Sequence, residues 1–169
     1  NVNIDILSEF FDNDFRKTTI WKDDLKEIIK PWLSKWNFGW DVDEFLKLWF
    51  ESSREIDERM IDFVNDCKNK WILCFIATNQ EKYRTEYIMK DMWFDKIFDW
   101  IFSSCNILFK KPDIEYFQFI IDKLKKDYNI DKDEVLFIDD SKKNVEVADN
   151  LWLKTFHYNS FDEFKNFIN

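Results

Sequence analysis

Four stretches in the first 70 residues repeat apolar side chains every three or four positions. Ile4, Leu7, Phe10 and Phe11 form the first, and Leu25, Ile28, Ile29 and Leu33 the second. The third covers residues 42–50 behind Asp41, an N-cap residue type, and the fourth covers about residues 56–67, with Met60, Ile61 and Val64 on one side. This spacing predicts four amphipathic helices. Pro31 falls inside or at the end of the second, where its ring kinks or stops a helix. After residue 70 the rhythm changes. Residues 72–77 (ILCFIA) are continuously apolar, the pattern of a buried parallel strand. Helical spacing follows over 83–92, then a strand-like aromatic stretch over 97–102. Pro112 opens a further helix whose apolar face is Ile114, Phe117, Ile120, Ile121 and Leu124. Residues 135–138 predict a second buried strand that runs into Asp139 and Asp140. A helix over about 143–151, a strand over 153–158 and a helix over 161–168 complete the chain. Strands alternating with helices imply right-handed βαβ units and a parallel sheet covered on both faces, so the expected class is α/β with a helical region before it.

Hydrophobic residues make up 46% of the 169 and charged residues 35%, enough for a packed core and against disorder. A net charge of −9 argues against nucleic acid or an anionic membrane surface as the partner. No apolar run approaches the roughly 20 residues of a membrane-spanning helix. Cys67, Cys74 and Cys105, odd in number and without motif spacing, suit reduced thiols in a cytoplasmic protein. The single histidine, His157, excludes His-rich metal sites and argues against His-based triads.

Polar residues at the carboxyl ends of parallel strands face the ligand crevice of an open sheet. Here the first strand ends in Thr78 and Asn79, Lys110 and Lys111 precede the helix at Pro112, and the strand over 135–138 ends in Asp139, Asp140 and Ser141, with Asn144 a turn later. Singly these are a helix cap, solvated lysines and an N-cap. In their joint order, a hydroxyl and amide, a cation and paired carboxylates suit a phosphate held against a divalent cation.

ILCFIATN, FKKPDIEYFQFII and VLFIDDSKKNVEVADNLWLKTFHY resemble successive signatures of the haloacid dehalogenase-like (HAD) phosphohydrolases of the type with a small helical cap. The resemblance implies a three-layer Rossmann-like parallel sheet, with residues 1–70 as the helical cap region and 71–169 as the α/β core lacking its first strand. It also implies that Thr78 and Asn79 bind the transferring phosphoryl group and that Lys111, which directly precedes the proline, neutralises its charge. Asp140 would ligate Mg²⁺ directly, Asp139 would support that metal site and Asn144 would orient the acidic loop. The family's nucleophile is the first Asp of an Asp-x-Asp closing the first strand. Asp12 and Asp14 are the nearby candidates, but SEFFDNDF reads as a helix end, so the missing strand is expected before Asn1. The implied activity is a Mg²⁺-dependent phosphatase or phosphotransferase of a small phosphorylated metabolite, acting through an aspartyl-phosphate and without turnover in the chain as it stands. The alternative is a non-catalytic binding or scaffolding domain. A phospho-accepting receiver domain fits less well, because it carries its acidic pair near the N-terminus. Sugar phosphates, nucleotides, phosphoglycolate-like acids and haloacids all remain open as substrates.

Glycine makes up about 7% of an ordinary chain, about a dozen residues here. This chain has one, Gly39, beside nine tryptophans. Trp71 and Trp152 stand between a helix and a strand and Trp93 follows a helix, junctions that favour a positive φ and hence glycine; Trp40, beside Gly39, stands in a turn. Two readings stay open: glycines misread from UGA codons, or a Trp-rich protein from an AT-rich genome.

Overall fold

The computed structural model describes residues 4–39 and 41–168; Trp40 lies outside them. The chain divides into two units, Asn1–Leu108 and Phe109–Asn169.

The first unit begins with helical segments: α1 (Ile4–Glu9), a π turn over Phe10–Asp14, α2 (Phe15–Thr18), α3 (Leu25–Lys35), α4 (Val42–Ser52) and α5 (Glu58–Asn69). Asp24, Asp41 and Asp57 stand in extended backbone before α3, α4 and α5, and each side chain accepts an amide N–H of the first turn. Pro31 lies inside α3 without ending it. The helices bury an aromatic core in which Phe10 meets Trp32 and Trp36 at ring-centroid distances of 5.6 and 5.3 Å. Leu25, Ile29, Leu33, Leu46 and Phe50 close around them. Asp12 and Asp14 belong to this helical stretch. Asp12 pairs with Arg16, and Asp14 accepts from Lys17 and from Trp32 Nε1.

Then come β1 (Phe75–Thr78), α6 (Lys82–Lys90), α7 (Phe94–Ile97), β2 (Trp100–Ser103) and α8 (Ser104–Ile107). β1 and β2 are parallel, Phe75 opposite Trp100 and Thr78 opposite Ser103. Both strands start later than the apolar runs predict, for identifiable reasons. Ile72 belongs to the end of α5, its N–H donating to Cys67 O at 3.0 Å. Residues 94–97 close a helical turn through Phe98 N–H to Phe94 O, and Asp99 then meets Cys74 through Asp99 N–H to Cys74 O and Cys74 N–H to Asp99 Oδ2.

The second unit holds α9 (Ile114–Tyr128), a 3₁₀ turn over Lys132–Glu134, β3 (Leu136–Asp139), α10 (Lys142–Asn150), β4 (Lys154–His157) and α11 (Phe161–Ile168). β3 and β4 are parallel, with Asp139 opposite His157. Pro112 does not open α9 as expected. A turn closed by Asp113 N–H to Lys110 O, with a cis Lys111–Pro112 bond, precedes the helix, and Asp113 in extended backbone is its N-cap residue. Both units join parallel strands through helices, so the chain is an α/β protein.

Helix ends carry an unusual feature. Trp21, Trp71, Trp93 and Trp152 have φ of 54°, 61°, 61° and 69°. Asn37, Leu108 and Asn129 are the other non-glycine residues at positive φ among those described.

Candidate active site

The second unit gathers a charged cluster at the carboxyl end of β3. Lys111 Nζ meets Asp139 Oδ2 at 2.5 Å, with the two side chains 12% and 4% exposed. The other carboxylate oxygen, Asp139 Oδ1, accepts Ser141 N–H and Asn144 Nδ2, both at 2.9 Å. Local chain geometry explains the arrangement. Asp139 is the last residue of β3 and faces inward, while alternation turns Asp140 out to solvent. Ser141 stands at the N-cap position of α10, and its amide and the side chain of Asn144 one turn on both point back to the strand end. Phe137 lies beneath the lysine, its ring centroid 5.9 Å from Nζ. The Asp140 carbonyl lies 3.0 Å from His157 Nε2 on β4.

Both Asp139 oxygens are therefore committed to donors, whereas the Asp140 carboxylate is exposed. Among the described residues no three His, Cys, Asp or Glu groups cluster as a ready cage for a metal ion. A Mg²⁺ ion does not require one, since it is commonly held by one or two carboxylates together with waters and substrate phosphate oxygens. The exposed hard oxygens of Asp140 fit that donor set.

Thr78 and Asn79 stand in the first unit, at the end of β1. The bend that follows them is tied to β2 and α8. Gln80 O receives Ser103 Oγ, Ser104 Oγ and Cys105 N–H at 3.2, 3.3 and 3.3 Å, and Gln80 N–H donates to Ser104 Oγ. Ser104 Oγ also reaches Thr19 O at 2.6 Å. Asn79 lines a cavity of about 220 Å³ with Phe15, Trp49, Phe50, Ser53 and Arg84. The Arg84 guanidinium donates to Phe50 O, Ser53 Oγ and Ser53 O, gripping the end of α4. Burial lowers its pKa. Beside it, Glu81 is buried and accepts Tyr83 N–H at 2.7 Å and the Arg84 N–H. Burial raises its pKa above the usual carboxyl value, against the pull of those two amides.

The structure thus brings Lys111, Asp139 and Asn144 into one cluster with Asp140 beside it, and places Thr78 and Asn79 on the other unit. Lys110 belongs to the turn before α9. Sequence reasoning missed Arg84 and Glu81. Glu81 was legible as the polar residue just before a helical run, but Arg84 gives no local sign that it reaches back to α4.

A family model described as haloacid dehalogenase-like hydrolase matches residues 12–157. A wild-type HAD family enzyme from Bacteroides thetaiotaomicron, in complex with magnesium and inorganic phosphate, is 16% identical; the match covers 97% of this chain and 92% of that one, at a TM-score of 0.72. A HAD-like family hydrolase from Porphyromonas gingivalis is 17% identical over 99% of this chain and 85% of its own, at a TM-score of 0.75. A HAD-hydrolase from Bacillus subtilis bound to magnesium is 16% identical over 100% and 84%, at 0.66. No curated protein matches. At these identities the likeness to the solved structures is one of fold, Rossmann-like α/β with a helical cap.

Proposed function

Because the chain belongs to the haloacid dehalogenase-like hydrolase family, we propose that it carries cap and core of a Mg²⁺-dependent phosphatase of small phosphorylated metabolites that works through an aspartyl-phosphate. Residues 1–70 are the cap region and 71–169 the core. The observation that carries this reading is the buried Lys111–Asp139 pair, braced by Ser141 and Asn144, with the exposed Asp140 carboxylate next to it.

Asp139 aims and holds the Lys111 ammonium, whose charge balances the oxygens of the phosphoryl group. Thr78 and Asn79, at the end of β1, are assigned as phosphoryl-binding residues by their hydroxyl and amide donors. Asp140 supplies the carboxylate for Mg²⁺, which when bound draws charge from the transferring group. The aromatic wall of Phe15, Trp49 and Phe50 beside Asn79 receives the organic part of the substrate and keeps water from it. Asp12 and Asp14 are engaged within the helices by Arg16, Lys17 and Trp32, which makes them poor nucleophiles. The nucleophile is therefore assigned to a strand ending in Asp-x-Asp that is not part of this chain, and the chain as given has no turnover. The thiols of Cys67, Cys74 and Cys105 are free, which suits a reducing, cytoplasmic setting. No helix among the described residues is long and apolar enough to cross a membrane.

The test is phosphate release from an aryl phosphate with Mg²⁺, by the chain alone and by the chain joined to its natural upstream residues. Silence from the first and turnover from the second is expected, with turnover lost in Asp140→Asn. Activity of the chain alone that disappears in Asp12→Asn or Asp14→Asn overturns the assignment of the nucleophile. Silence from both overturns the enzymatic reading and leaves a binding domain.

A further inference from the structure

The four tryptophans at positive φ share one backbone environment. Each follows a helix or helical turn, and each N–H donates to the carbonyl three residues back: Trp21 to Thr18, Trp71 to Lys68, Trp93 to Lys90 and Trp152 to Asp149. At three of them the next N–H reaches five residues back, Lys22 to Lys17, Ile72 to Cys67 and Leu153 to Ala148. That pair of bonds defines the Schellman helix stop, in which the first residue past the cap is left-handed and is usually glycine, sometimes asparagine. Asparagine holds the same place at Asn37, whose N–H meets Ser34 O while Phe38 N–H meets Leu33 O, and it ends α9 at Asn129. The rule therefore operates at these two helix stops, where asparagine stands. Tryptophan breaks it four times.

The side chains at these four stops give little in return. Trp21, Trp71, Trp93 and Trp152 are 54%, 94%, 65% and 77% exposed. Trp32 and Trp36 differ on every count: they lie in or at the end of α3 without a positive φ, are buried, and pack on Phe10. Half of the eight described tryptophans thus occupy the conformation most hostile to a bulky side chain, while the sole glycine of the sequence shows no positive φ. Among the described residues Leu108, at φ 68°, is the one other bulky residue carried there.

We infer that residues 21, 71, 93 and 152 are glycine in the protein as its host makes it, the tryptophans being UGA codons translated by a table that reads them as tryptophan. UGA is read as tryptophan in some lineages and as glycine in others, so one table error converts selected glycines and leaves UGG-encoded tryptophans intact. The inference adds Trp21 to the junctions that sequence alone singles out, and it separates the helix-stop positions from the core positions 32 and 36.

The test is peptide mass spectrometry of the protein isolated from its natural source, read at all six positions. Glycine at 21, 71, 93 and 152 with tryptophan at 32 and 36 is the expected result. Tryptophan at any of the four overturns the inference. Glycine at 32 or 36 overturns it too, because the misreading would then ignore the backbone distinction on which it rests.

Discussion

Trp152→Gly isolates the energetic content of a left-handed helix stop. A residue with a Cβ loses about 1–2 kcal/mol in this conformation. Glycine avoids that loss but gives up more backbone freedom on folding, about 0.5–1 kcal/mol. The indole is largely exposed, so few packing contacts are forfeited. The Schellman bonds of Trp152 N–H and Leu153 N–H come from the backbone and survive the change. The net expectation is a gain of about 0.5–1 kcal/mol. At about 2–4 °C per kcal/mol for a chain of this size, the melting midpoint rises by roughly 1–4 °C. Trp152→Ala is the control, because alanine retains the steric penalty and gains nothing. Urea unfolding of both variants against the parent chain provides the measurement. A Gly variant less stable than the parent, or an Ala variant as stable as the Gly one, would refute the reasoning. Trp32→Gly in the aromatic core should move the other way by at least 3 kcal/mol, through lost burial and a poor helix former.

Further predictions concern buried charge. Lys111→Met leaves Asp139 buried with only its two remaining donors, and should cost about 3 kcal/mol, the lower end for a broken buried pair; adding Asp139→Asn should recover more than half of that, and a single-variant cost below about 1 kcal/mol would show that the pair is not buried as described. Glu81, its pKa raised by burial, contributes stability that is full below the ordinary value of 4.5 and lost as pH rises through its folded value. The stability of Glu81→Gln relative to the parent should therefore improve with rising pH from 4.5 upward in urea midpoints, and a flat or opposite difference would contradict the assigned burial. The Cys74 thiol, pushed up to about 12 by burial and by Cys67 beside it, should resist alkylation at pH 8 in the folded chain and react on unfolding.

Much of the fold was legible because its signals are local. Asp41 and the spacing behind it announced α4, and the short apolar runs before Thr78 and Asp139 announced parallel strands. The errors arose where one residue answers to two local patterns. Ile72 reads as the start of an apolar strand, yet its amide is used to stop α5. Pro112 reads as a first helical residue, yet the turn before Asp113 claims it. At the candidate site, the residue types and their order could be read from sequence, but the division between Asp139 and Asp140 could not. It depends on which carboxylate points inward and on a lysine 28 positions away.

The bend after Thr78 has a consequence for how this protein tolerates change. The Gln80 carbonyl accepts Ser103 Oγ and Cys105 N–H, and its N–H donates to Ser104 Oγ, whose own proton fastens Thr19 O at 2.6 Å. The loop assigned to phosphate takes its shape from a remote serine pair, as a casting takes it from a mould. Loss of one hydroxyl there would loosen the loop without touching any residue proposed to meet the substrate, so damage would arise in a chain whose own loop sequence is intact.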